Sequence, residues 1–180
     1  MLFTGKGDDG TTKTFGCDQK ISKSSAIAEA LGSVDEINSL IGVVKMKSED
    51  TKAVAGLDYH TLFSDVQQDL FTVQAELAGA AKKMDNARVK KLENCVNAIE
   101  KGLPPIESFF VSGGTELGAL CDYARTVARR AESRVVEAVE KDKEEKKELL
   151  AYMNRLSSLL YALARLANHS AGAVEEKPHY

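Results

Sequence analysis

No proline occurs in the first 103 residues of this chain; the three present are Pro104, Pro105 and Pro178. A stretch that long, with every backbone N–H able to donate, leaves long helices unobstructed. Alanine, the strongest helix former, accounts for 22 of the 180 residues. There is no Trp and aromatics are only 6%, so a core has to be built from aliphatic side chains. Hydrophobic residues at 43% and charged residues at 28% are a globular composition rather than a disordered one. At 180 residues the chain supports one full core and not two. The expectation is an all-α, single-domain helix bundle.

Apolar spacing divides the chain further. Ile27, Leu31, Val34, Ile37 (or Asn38), Ile41 and Val44 recur at three and four residues, with Ser24 or Ser25 placed to cap the start. A polar stretch over 45–56 precedes a second helix, from about Asp58 to Lys83, carrying Leu62, Val66, Leu70 (or Asp69), Val73 and Leu77. Asn86 is placed to cap a third, with Val89, Leu92, Val96 and Ile99, which ends at Gly102 before the two prolines. A connection with apolar Phe109-Phe110-Val111 and a turn at Ser112-Gly113-Gly114 leads into a fourth helix. This runs from Thr115 to about Lys141 on Leu117, Leu120, Cys121, Ala124, Ala128, Ala131, Val135 and Val139. The charge run 142–147 reads as a solvated helix end or loop rather than a binding tail. A fifth helix, from about Glu148 to Ala171, uses Leu149, Met153, Leu156, Leu160, Leu163 (or Ala164) and Ala167. The expected organisation is a loop over 1–23, a five-helix bundle over 24–171 and a tail over 172–180.

Several functional classes drop out. A net charge of −3 and a pI near 5.7 disfavour a nucleic-acid partner, which needs a basic surface. The longest apolar run, Leu159–Ala164, is closed by Arg165 and falls far short of the roughly 20 residues that span a bilayer. The first nine residues lack the pattern of a secretory leader. Cys17, Cys95 and Cys121 are odd in number and widely spaced, as suits reduced thiols. A cytoplasmic protein without a membrane partner is expected. His60, His169 and His179 have no metal spacing. Glu176 and His179 form one ExxH interrupted by Pro178, so a di-iron bundle is unsupported.

Polar residues beside the apolar stripes are the candidates for chemistry. On the fourth helix Arg125, Arg129 and Glu132 share one flank, which suits ion pairing or anion binding equally well; Arg130 and Arg134 lie on the other flank, as on a solvated face. On the fifth, Asn154, Tyr161, Arg165 and Asn168 share a flank. A mid-helix Asn such as Asn154 needs a partner, either a neighbouring helix or a ligand. The first 23 residues hold Gly5, Gly7, Gly10 and Gly16 among Thr, Asp and Lys side chains. Such a loop can offer N–H groups, hydroxyls and charge to phosphate, although Thr11-Thr12 stand where a Walker loop has Lys-Ser/Thr. By itself the loop is weak evidence for phosphate binding, and an ordinary Gly-rich tail accounts for it better. No acid–base or nucleophile constellation is present.

Four segments, in order and spacing, carry a resemblance. They are Thr4-Gly5-Lys6-Gly7-Asp8-Asp9-Gly10-Thr11-Thr12 with Phe15-Gly16 and Ser22-Lys23; Gly32-Ser33-Val34-Asp35-Glu36-Ile37-Asn38-Ser39 with Ile41-Gly42; Phe109 to Thr115 leading into Ala124-Arg125-Thr126-Val127-Ala128-Arg129-Arg130-Ala131-Glu132; and Tyr152-Met153-Asn154-Arg155-Leu156-Ser157 with Leu163-Ala164-Arg165. Over nearly its whole length the chain resembles the PduO-type ATP:corrinoid adenosyltransferases, which transfer the 5′-deoxyadenosyl group of ATP to reduced cobalt. The resemblance implies a ferritin-like up-down five-helix bundle assembled as a homotrimer, with ATP at each subunit interface.

It further implies an ATP site made of the loop, with Thr4, Gly5, Lys6, Gly7, Asp8, Gly10, Thr12 and Lys23, together with Arg129, Glu132 and Asn154. Mg²⁺ would be carried on the phosphates and not by His or Cys. Asp35 and Arg125 match an intersubunit salt bridge near the corrinoid, and Phe109 an aromatic residue that helps displace the corrinoid's lower ligand. Arg125, Arg129, Asp35 and Phe109 are therefore the residues implied to act in the transfer. A cobalamin reductase and an adenosylcobalamin-dependent enzyme are the implied partners, and a corrinoid-binding or delivery protein on the same fold is the alternative. The chain departs from the family pattern at Gly5 and Lys6 (usually a basic residue and Thr), at Ser112 (usually Pro), at Ser133 (often Arg) and in an extra residue within 17–20. Loss of one phosphate contact costs about 1–3 kcal/mol unless replaced, so these changes bear on ATP affinity more than on fold.

Overall fold

The computed structural model describes residues 2–15, 19–49 and 58–179. Five helices follow the apolar spacing: α1 (Ala26–Lys47), α2 (Tyr59–Leu77), α3 (Asn86–Glu100), α4 (Glu116–Ala138) and α5 (Lys147–Ser170). Helix α1 packs on α2 and α4, and α5 packs on α4 and α3. Tyr152, Met153, Leu156, Leu159, Leu160 and Leu163 are all fully buried, so α5 is apolar around most of its circumference and takes the centre. Ala124, Ala128 and Ala131 on α4 are fully buried as well. Their small side chains let α4 approach both α1 and α5, which is the packing use of the alanines.

The helix ends differ from the spacing at identifiable places. Helix α2 ends at Leu77, not near Lys83, because Gly79 takes φ 89°. That left-handed conformation terminates the helix although Ala80-Ala81 would favour continuing it. Asp85, not Asn86, caps α3, its carboxylate accepting from the Arg88 N–H at 2.9 Å. Ser25 occupies the cap position of α1 but gives its hydroxyl to the Ser22 carbonyl, 2.7 Å away, and makes no side-chain cap. Asp58 and Thr115 cap α2 and α4 through side-chain oxygens, each cap worth about 1 kcal/mol. Helix α4 stops at Ala138, three residues short of Lys141.

The N-terminal segment is more regular than a loop. Strands β1 (Thr11–Thr12) and β2 (Ile21–Ser22) pair antiparallel, Thr11 opposite Ser22. Gly16, Cys17, residues 50–56 of the 45–56 stretch and Tyr180 lie outside the described residues. Among the described residues no helix is long and apolar enough to cross a membrane.

Two buried polar clusters lock the helices in register. Asp69 on α2 holds Arg88 of α3 at 2.8 Å and faces Tyr152 of α5. Burial pushes the Asp69 carboxyl up, against the opposing effect of the Arg88 hydrogen bond and of the nearby Tyr152 hydroxyl. Glu76, 4% exposed, accepts from the Met84 N–H at 2.6 Å and from Lys146 at 3.2 Å. Burial also decides the thiols. Cys95 and Cys121 are free, and burial pushes Cys121 up to about 12, with Asp122 adding to the effect. Since the thiolate is the reactive form, iodoacetamide at pH 8 is expected to leave Cys121 unmodified in the folded protein and to modify it after denaturation, read by peptide mass mapping. Rapid alkylation of native Cys121 would contradict this packing.

Candidate functional site

A cleft of about 600 Å³ opens between the 106–113 connection, α4, α5 and the C-terminal segment. Helix α4 contributes Asp122, Arg125 and Arg129; α5 contributes Ser157, Tyr161, Arg165 and Asn168. The one-turn recurrence of Arg125 and Arg129, and of Tyr161, Arg165 and Asn168, explains why two helix flanks become two walls. Phe109 stands at the rim, 80% exposed, while its neighbour Phe110 is half-buried.

Asn168 shapes the cleft floor. Its amide donates to the Gly113 carbonyl at 3.0 Å, and its oxygen accepts from the Thr115 N–H at 3.0 Å and the Thr115 hydroxyl at 2.9 Å. Gly114 has φ 91°, and a Cβ there would sit 2.7 Å from the Asn168 oxygen. Glycine is required by conformation and by space at once. Thr115 Oγ1 accepts from the Gly118 N–H and so starts α4.

The charges on the two α4 arginines are held differently. Arg125 donates to Asp122 at 2.6 Å, and Ser112 donates its hydroxyl to the other Asp122 oxygen. Burial pushes the Asp122 carboxyl up, but the hydrogen bonds from Arg125 and Ser112 outweigh it and leave the group below its ordinary value. Arg129 is exposed and its guanidinium has no hydrogen-bond or ion-pair partner among the described residues. It is a cation facing open space, available to an anion. Arg130 pairs with Glu36 at 2.6 Å and Arg134 with Glu137 at 3.1 Å, both on the solvated flank.

Glu132 and Asn154 meet across α4 and α5, the Asn154 amide donating at 2.9 Å, and Arg155 donates to the Asn154 oxygen. The mid-helix Asn therefore has its interhelical partner. Ser133 returns its hydroxyl to the Arg129 carbonyl. Asp35 is exposed on α1 with Gln74 at 3.5 Å; within one chain it is not paired with Arg125.

The N-terminal hairpin is knit by its own polar groups. Lys23 reaches the Gly7 carbonyl at 2.7 Å and its N–H donates to the Gly10 carbonyl at 3.0 Å. Asp9 binds Lys20 at 2.6 Å and accepts from the Thr11 N–H and hydroxyl. The Lys20 ammonium, with Thr11, holds the Asp9 carboxyl well below the usual carboxylate range. Thr4, Gly5, Lys6, Asp8 and Gly10 are exposed, Gly7 and Thr12 half-buried. Among the described residues no hydrogen bond or ion pair joins this hairpin to Arg129, Glu132 or Asn154. Within one chain, among the described residues, the two sets of polar groups are not bonded to each other.

Asp122 and Glu175 are cleft residues that the spacing argument overlooked. Asp122 lies three residues before Arg125, a pairing distance on a helix, and was legible; Glu175 belongs to an aperiodic tail and had no local signal. Among the described residues no group of three or more His, Cys, Asp and Glu side chains converges.

The family profile described as Cobalamin adenosyltransferase matches residues 2–167. The corrinoid adenosyltransferase PduO of Citrobacter freundii is 32% identical over 177 residues, covering 94% of this chain and 50% of that protein. The corrinoid adenosyltransferase of Bacillus subtilis is 34% identical over 182 residues, covering 95% and 88%. The chain therefore spans about half the length of the Citrobacter protein and most of the Bacillus one. A phenylalanine-to-alanine variant of the PduO-type ATP:corrinoid adenosyltransferase of Lactobacillus reuteri, complexed with cobalamin and ATP, superimposes with TM-score 0.85 at 27% identity, with full coverage of both chains. An arginine-to-lysine variant of the same enzyme, complexed with ATP, gives TM-score 0.85 at 26% identity, covering 99% of this chain and 100% of that one. This chain belongs to the cobalamin adenosyltransferase family.

Proposed function

We propose that this protein transfers the 5′-deoxyadenosyl group of ATP to the cobalt of a reduced corrinoid. The observation that carries the reading is the cleft: an exposed Phe109 at the rim, with Arg125 and Arg129, the latter without a partner among the described residues, on one wall. It occurs in a chain that matches a cobalamin- and ATP-bound enzyme end to end. Cobalt(I) supplies the electron pair that forms the cobalt–C5′ bond; the C5′–oxygen bond breaks, and triphosphate leaves with those electrons. No protein nucleophile or base is needed, which agrees with the absence of a dyad in the sequence. The protein contributes in-line positioning and compensation of the leaving group's charge.

In this reading the hairpin residues Thr4, Gly5, Lys6, Gly7, Asp8, Gly10, Thr12 and Lys23 bind the triphosphate, with Arg129, Glu132 and Asn154 on the opposing surface. That the two sets are not bonded to each other within one chain, among the described residues, supports a site completed by a second subunit, and so a homotrimer with Asp35 of one subunit facing Arg125 of the next. Half-exposed Val43, Met46 and Phe71 supply apolar surface for such contacts. Mg²⁺ would be held mainly by the phosphate oxygens of ATP; among the described residues no group of three or more His, Cys, Asp and Glu side chains forms a metal cage. Phe109 excludes water from the cobalt's lower face.

The test is anaerobic incubation with ATP, Mg²⁺ and chemically reduced cobalamin, followed by absorbance. Appearance of adenosylcobalamin is the expected result. Tight corrinoid binding without product would favour a delivery protein, and binding of neither ligand would overturn both readings.

A further inference from the structure

Phe109 has an unusual mechanical problem. An exposed phenyl ring on a connecting loop gains free energy by folding down onto nearby apolar surface, yet it stands 80% exposed between Ile106 and Val111, each more than half exposed. What holds the loop out lies on α5 and in the C-terminal segment. Arg165, with 7% of its side chain exposed, donates to the Pro104 carbonyl at 3.1 Å and to Glu175 at 3.2 Å. Its guanidinium carbon also lies 5.3 Å from the centre of the Phe110 ring, a cation–π contact. Immediately beyond, the Val111 N–H donates to the Glu176 carbonyl at 2.8 Å. The loop is thus held at Pro104 and Phe110 by one buried arginine, itself paired with Glu175, and at Val111 by the Glu176 carbonyl, while Asn168 fixes its far end at Gly113.

We propose that Arg165 and Glu175 are positioning residues that act through Phe109, making the C-terminal segment a strap that sets the corrinoid side of the cleft. A buried ion pair is weak evidence for stability alone, and this one spends its donors on the Phe109 loop rather than on helix packing. The planar fork is needed: Lys at 165 could meet Glu175 but could not also bond Pro104 and stack on Phe110. The inference rests on the function proposed above, which the unaltered protein tests by itself.

The experiment is a double-mutant cycle on full-length protein with E175Q, F109A and the double variant, with R165K as a second probe of the strap. Corrinoid KM, ATP KM, kcat and the fraction of four-coordinate cobalt(II) formed with ATP bound are measured. E175Q and R165K are expected to raise corrinoid KM about tenfold and lower the four-coordinate fraction, with ATP KM within about twofold. In the Phe109→Ala background the Glu175→Gln effect is expected to vanish, because the group it acts through is gone. Full additivity, or equal rises in both KM values, would overturn the inference. So would a lowered melting temperature with corrinoid KM unchanged. Should R165K fail to fold, the Glu175→Gln cycle decides. Unaltered protein that forms no adenosylcobalamin counts against the proposed function; active protein with variants indistinguishable from it counts against the strap alone.

Discussion

Arg129→Ala is expected to lower the rate of adenosylcobalamin formation by about 10²–10³-fold, the usual cost of removing one charged or hydrogen-bonding group aimed at developing charge. Arg129 lines the cleft and has no partner among the described residues. Its removal therefore leaves no orphaned buried group, and Ala is at least as good a helix former as Arg. Stability should move by no more than about 0.5 kcal/mol. The measurement is initial rate against ATP concentration, alongside thermal unfolding by circular dichroism. Arg134→Ala serves as comparison: among the described residues Arg134 pairs with Glu137 alone, on the solvated flank, both about half exposed, and such pairs are worth under about 1 kcal/mol. A normal rate in Arg129→Ala would remove this residue from the transfer.

The second large effect falls on the fold. Glu76 is 4% exposed and its carboxylate collects the Met84 N–H, Lys146 at 3.2 Å and Lys83 at 3.8 Å. It ties the end of α2 to the segment before α3 and to the entry of α5. Glu76→Ala leaves a buried N–H without an acceptor and the Lys146 ammonium, only 15% exposed, without its carboxylate. Removing one partner from such a cluster costs about 3–5 kcal/mol, which for a domain of this size lowers the melting temperature by roughly 10 °C. Glu76→Gln keeps an acceptor for Met84 and should fall between. A shift in Glu76→Ala of less than about 2 °C would mean that the cluster contributes little.

Residue by residue, legibility follows the range of the interaction. Ala124, Ala128, Val135 and Leu156 were readable as core because helical periodicity is a property of adjacent turns. Arg125, Arg129, Tyr161 and Arg165 were readable as flank residues for the same reason, and they do line one cleft. The early stop of α2 is not legible in the sequence because Gly79, whose left-handed conformation ends the helix, sits in a favourable Ala-rich continuation. The β1–β2 pairing was missed because two-residue strands carry no period.

What the sequence determined by itself is the helical architecture, the polar flanks of α4 and α5 and, through ordered motifs, the family. Each of these depends on residues a few positions apart or on the linear order of segments. Only the tertiary structure decided that Glu76 would be buried, that Ser112 would close on Asp122, and that Arg165 would hold a carbonyl 61 residues away and a carboxylate 10 residues ahead. Those pairings depend on how whole helices and the tail pack. The choice of partner is settled by which desolvated charge lacks one, and no local spacing encodes that.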